Sequence, residues 1–169
     1  LSNMTKEYNL VILGLTISGN RGAQSMLISI LQNIEKQIES KCNFALVSIF
    51  PEADIKEELS KKIDVIEGRP IKVLCLSLLL FLTRPLLNFG FIRRIYGRNK
   101  IALAIMDSDL VIDSGGVSFI DGRGFPLLIY NAALSNLSLS FGVKTIKLAQ
   151  ALGPFRTKPN RFLASIILP

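Results

Sequence analysis

Short continuous apolar runs, each closing on a glycine-containing loop, constrain this chain most. Tyr8–Leu15 (YNLVILGL) does not alternate apolar with polar residues, as a strand with one wet face would. It runs into Thr16-Ile17-Ser18-Gly19-Asn20-Arg21-Gly22, after which Met26, Leu27, Ile30, Leu31, Ile34 and Ile38 recur at helical steps. Continuous apolar strands joined to amphipathic helices predict a parallel sheet covered on both faces, an α/β class.

The pattern repeats. Asn43–Phe50 reads as a second strand, stopped by Pro51, and Glu52–Lys62 as a short polar helix. Ile63–Ile66 is a third strand, ended by Gly68. Asp109–Ile112 is a buried strand running into Asp113-Ser114-Gly115-Gly116. Phe125–Phe141 has a helical pattern and Gly142 marks its stop. Lys144–Ala149 is a last strand, running into Gln150-Ala151-Leu152-Gly153-Pro154-Phe155. Phe162–Pro169 reads as a helix cut in mid-course. No linker or low-complexity segment divides the 169 residues, which suit a single domain spanning 1–169.

Val73–Ile92 approaches the roughly 20 apolar residues that span a bilayer. Arg84 and Pro85 interrupt it, and a central arginine costs roughly 2.5–3.5 kcal/mol on insertion scales. The reading is therefore a buried or interfacial helix pair, with peripheral membrane contact through 73–100 as the alternative. Charge distribution bears on that alternative. All thirteen acids lie in 1–67 or 107–121, while Gly68–Met106 holds seven basic residues and no acid. Six more basic residues follow Gly122, again without an acid. Such asymmetry favours anionic partners, although a solvated basic surface accounts for the same residues. Nucleic acid is not favoured, because no recognised motif or aromatic stacking pattern accompanies the charge.

Cys42 and Cys75 have no metal-ligand spacing and the chain has no histidine, so no metal site is expected. A reducing compartment fits this usage. The three loops after strands fall on the edge where open α/β sheets bind ligands. Small residues in the first and second let a backbone approach a ligand, and a helix N-terminus after the first suits an anion. Asp113 and Asp121 are candidates for sugar hydroxyls, and Gln150 for a hydroxyl or amide. Each loop is equally explained, taken alone, as an ordinary turn.

Taken in order, Gly19-Asn20-Arg21-Gly22, Asp109–Gly116 with Asp121, and Gln150–Phe155 resemble the N-terminal half of the polysaccharide pyruvyl transferase family. The resemblance implies a Rossmann-like domain that stops before the C-terminal half of a GT-B-like, two-domain enzyme. It implies transfer of pyruvate from phosphoenolpyruvate, a co-substrate, to a sugar of a cell-surface or exopolysaccharide glycan, often lipid-linked, as a ketal. No other cofactor is implied. The implied substrate-binding residues are Gly19, Asn20, Arg21, Gly22, Ser114, Gly115, Gly116, Asp121, Gln150, Gly153, Pro154 and Phe155. Catalytic residues are expected from the second half, so the fragment alone is expected to be an inactive, acceptor-side scaffold. The expected location is cytoplasmic, with the inner face of the membrane as a refinement. Gly22-Ala23-Gln24 departs from the acidic residues common after the family's first loop. The runners-up are a GT-B nucleotide-sugar glycosyltransferase and a non-catalytic, membrane-associated binding module.

Overall fold

A computed structural model describes residues 7–115, 119–122, 124–148 and 150–168. In chain order the elements are β1 (Tyr8–Leu13), α1 (Arg21–Gln37), β2 (Cys42–Ser48), α2 (Pro51–Asp54) and β3 (Ile63–Glu67). They continue with α3 (Pro70–Thr83), α4 (Gly90–Tyr96), α5 (Lys100–Met106), β4 (Leu110–Asp113), α6 (Phe125–Phe141), β5 (Thr145–Lys147) and α7 (Lys158–Ile167). All four strand pairings are parallel, in the order β3-β2-β1-β4-β5. This is the strand order of a doubly wound, Rossmann-like sheet.

The central strands β1, β2 and β4 are covered on both sides, which is why they carry little polar alternation, while β5 at the edge leaves Ile146 half exposed. Val11 and Leu13 of β1 join Val47, Val111 and residues of α3, α5 and α6 in one core. Leu10 and Ile12 join Phe44, Leu46, Ile112 and the Leu27, Ile30 and Leu31 stripe of α1 in the other. Burying each such aliphatic side chain contributes about 1.5–3 kcal/mol.

Several expected boundaries move. β1 stops at Leu13 because Gly14 turns with φ +79°. The polar helix expected over Glu52–Lys62 is broken into α2 and a 3-10 turn at Glu58–Lys62. Asp54 is drawn inward, and Ser60 Oγ lies 2.7 Å from the Ile55 and Glu57 carbonyls. The expected helix pair of 73–92 becomes α3, a 3-10 turn over Arg84–Leu86, and α4, divided at Pro85. α5 was not expected; Asn99 starts it, its Oδ1 accepting from Ile101 N and Ala102 N. α6 has its expected limits, closed by Gly142 at φ +70°. α7 begins before Phe162, at Lys158, and Leu168 leaves it in extended backbone. Ala149, the expected end of the last strand, lies outside the described residues. Among the described residues, no helix is long and apolar enough to cross a membrane.

Candidate functional site

Strand order reverses between β1 and β4, where the connections leave in opposite directions. That opens a crevice outside their carboxyl ends. Here it has a volume of about 540 Å³ and is walled by Gly14, Thr16, Gly19, Asn20 and Gly22 on one side and Ser114 and Gly115 on the other. Phe50, Tyr130 and Asn131 also line it, together with apolar side chains that include Met26, Ile49, Leu127 and Leu134. The two walls touch at the base. A Cβ on Gly14 would lie 2.7 Å from Gly115 Cα and N, closer than side chains pack. Glycine at 14 is therefore required twice, by φ and by the neighbouring strand end.

The first wall hangs from Asp54, which is fully buried. Its Oδ1 accepts from Ser18 N at 2.7 Å and Ser18 Oγ at 2.5 Å, and its Oδ2 from Ser48 Oγ at 2.6 Å. Burial pushes the carboxyl pKa up, but the Ser18 and Ser48 donors outweigh it and hold the group below its ordinary 3.8. Thr16 Oγ1 accepts from Gly19 N at 2.6 Å, tightening the turn. Asn20 then caps α1, its Oδ1 accepting from Ala23 N at 2.8 Å. The N-terminus of α1 thus borders the crevice through Gly22 and Ala23. Arg21, its first residue, is exposed and does not line the crevice.

The second wall hangs from Asp113. Its Oδ2 pairs with Lys147 Nζ at 2.5 Å and accepts from Ser135 Oγ at 2.9 Å. Gln150 Nε2 donates to Asp113 Oδ1 at 2.8 Å and to its carbonyl at 2.7 Å. Lys147 Nζ also donates to Ser135 Oγ at 2.7 Å and sits 5.4 Å from the Phe119 ring centre. Ser114 is buried; its N donates to Leu13 O and its Oγ to Leu148 O, each at 3.0 Å. Gln150 therefore ties the third loop to the base of the crevice.

The rest of that loop turns elsewhere. Leu152 and Phe155 line a separate, mainly apolar cavity of about 610 Å³ between α6, β5 and α7. Gly153, at φ +77°, makes the turn and Pro154 is exposed. Asp121 latches the start of α7 from outside. Its carboxylate accepts from Arg156 N, Thr157 N, Thr157 Oγ1 and Asn160 Nδ2. The Thr157 hydroxyl leads these donors in holding the group at about 2. Asp113 and Asp121, considered together for sugar hydroxyls, share no hydrogen-bond partner among the described residues. Gly116 lies outside the described residues.

Sequence reading missed Lys147, Ser135, Ser18, Ser48 and Asp54, the groups that set both walls. One signal was present: Ser135, Asn136, Ser138 and Ser140 punctuate an apolar helix, and all four are buried. Buried polar groups need partners, so such a run points to an internal network. Sequence reading also passed over Tyr130. Burial pushes its phenol up to about 12, so it meets the crevice as a neutral hydroxyl at ordinary pH.

The crevice lining contains no charged side chain among the described residues. It offers backbone, two amides, small hydroxyls, two aromatic rings and several aliphatic side chains. That set binds neutral hydroxyl-bearing ligands, with the N-terminus of α1 as its one favourable place for negative charge. Among the described residues no three Cys, Asp or Glu side chains converge as a metal centre would need. Compared with family models, curated protein sequences and solved structures, the chain matches none.

Proposed function

We propose that the β1/β4 crevice is the acceptor-sugar site of a polysaccharide pyruvyl transferase-type enzyme with a GT-B-like, two-domain architecture. The observation that carries this reading is the uncharged lining. Asn20 and Asn131 suit sugar hydroxyls, Phe50 and Tyr130 suit the apolar face of a pyranose, and Gly19, Gly22 and Gly115 let the ring approach backbone. Two of the three loops of the resemblance meet there, and Gln150 binds the third to the base.

In the proposed reaction one sugar hydroxyl adds to C2 of phosphoenolpyruvate, and C3 takes a proton to become a methyl group. A second hydroxyl then bonds to C2 as the C2–O bond to phosphate breaks. The hydroxyl proton leaves with the phosphate, giving a pyruvate ketal and inorganic phosphate. The described residues hold and orient the acceptor in this scheme. Asp54 and Asp113 already serve internal donors, which leaves them as wall supports rather than bases.

A GT-B glycosyltransferase would use the same crevice for its acceptor, so the donor, phosphoenolpyruvate or a nucleotide sugar, separates the two readings. The test incubates the full-length protein with phosphoenolpyruvate and a panel of exopolysaccharide glycans. Phosphate release together with a new ketal methyl signal by NMR is expected. A folded protein that forms no ketal on any acceptor, or that binds UDP or GDP in preference to phosphoenolpyruvate, overturns the reading.

A further inference from the structure

Helix α3 is apolar on both sides. Val73, Leu76, Ser77 and Leu80 form its buried stripe, and the helix packs against α6. There Asn136 Nδ2 donates to Ser77 O and Oγ, each at 2.9 Å. The opposite stripe, at steps of three and four, is Ile71, Cys75, Leu78 and Leu82, all exposed. Phe81 within α3, and Phe89 and Phe91 beyond its end, are, like Leu78 and Leu82, each more than half exposed. A helix apolar all round belongs in a core or against a membrane. A stripe of exposed apolar side chains along one helix face marks an interaction surface.

Charge identifies what covers it. Arg69 and Lys72, near the start of α3, are paired with Glu52 and Glu67. Arg84, Arg93, Arg94 and Arg98, around its far end, have no ion pair among the described residues. Arg84 and Arg93 border one hollow of about 300 Å³, with Asn88 and Ser140 beside them. Asp107 borders a second hollow, which Arg93, Arg94 and Arg98 also line, whereas the hollow shared by Arg84 and Arg93 is lined by no acid. A second copy is a poor occupant. Each copy carries a net charge of +7 and unpaired arginines beside this face, so pairing two copies brings like charge towards like charge.

We propose that the exposed face of α3 and α4 docks on an anionic phospholipid bilayer. Its leucine and phenylalanine side chains enter the acyl boundary, and Arg84 and Arg93 take headgroup phosphates. The helices are too short to cross, so they lie in the interface. This inference stands apart from pyruvyl transfer, because docking is read without glycan or phosphoenolpyruvate.

Cys75 lies on the proposed face and supplies a built-in reporter. The full chain carrying Cys42→Ser is labelled at Cys75 with an environment-sensitive fluorophore. It is then mixed with vesicles of phosphatidylcholine alone or of equimolar phosphatidylcholine and phosphatidylglycerol. Co-sedimentation and a blue shift with the anionic vesicles only are expected. Arg84→Gln with Arg93→Gln lowers vesicle affinity about 25-fold, or about fivefold and about 1 kcal/mol for each arginine. Leu82→Asp and Phe91→Asp, both at exposed positions, abolish the blue shift while circular dichroism stays unchanged. A folded protein left in the supernatant with anionic vesicles overturns the proposal, as does equal binding to both vesicle types. So does a dimer by sedimentation equilibrium that Leu82→Asp dissociates.

Discussion

The two walls of the crevice rest on two buried carboxylates that are satisfied in different ways. Asp54 is held by hydroxyls and a backbone N–H, with no cation among the partners described above. Asp113 is held by an ammonium, a hydroxyl and an amide. Neutral donors share out a carboxylate's demand in small parts, so losing one is a moderate fault. An ion pair concentrates the demand, so losing the cation leaves a buried charge unmatched. The first wall is thus a turn pinned locally, from Thr16 to Asn20. The second is a long-range clamp that joins β4, α6, β5 and the third loop through one aspartate.

Breaking the clamp has the largest expected effect. Lys147→Met strands Asp113 in the core and lowers stability by about 3–5 kcal/mol, measured by urea unfolding. Adding Asp113→Leu to Lys147→Met recovers part of that loss, because it removes the unmatched charge while Ser135 and Gln150 lose their acceptor. If the double variant is no more stable than the single one, the clamp is not governed by the ion pair. On the other wall, Asp54→Ala leaves the Ser18 and Ser48 donors buried without an acceptor, a loss of about 1–3 kcal/mol.

The pH dependence sharpens the contrast. Asp54 has a folded pKa below its ordinary 3.8, so its contribution is fully present above that value. It is lost as pH falls through the folded value. Asp121, held at about 2, loses its contribution over the window from 3.8 down to about 2. Unfolding free energy should fall through this range in the parent and fall less in Asp54→Asn and Asp121→Asn. An equal acid slope in all three would remove both carboxylates from the account. The smallest effect is at the rim: Asn20→Ala removes the α1 cap and lowers stability by about 1 kcal/mol, read as a shift in thermal midpoint.

Much of this architecture was legible one residue at a time. The apolar runs at Tyr8–Leu13 and Leu110–Asp113, the heptad-like stripe of α1 and the glycine stop at Gly142 are local signals with a local cause. The loops also lay on the expected sheet edge. Less legible was any choice that depended on a distant partner. Glu52–Lys62 reads as a helix by composition, yet Asp54 leaves that pattern to serve Ser18, 36 residues away. Asp113 reads as an open carboxylate, yet Lys147 and Gln150 reach it across 34 and 37 residues. Gln150 and Phe155 look like one motif, yet Gln150 bonds to Asp113 while Phe155 lines the apolar cavity beside α7.

The sequence alone determined that strands buried on both faces would pair in parallel, because continuous apolar runs have no wet side to offer. It also determined that α3 would be apolar all round and that arginines would follow it. Only the tertiary structure decided which face of α3 is covered, which arginines lack an acid, and which loops meet. Those outcomes depend on partners that topology brings together, and hydrophobic periodicity carries no record of them. The crevice itself belongs to this second class: it exists because β1 and β4 lie side by side while their chains depart in opposite directions.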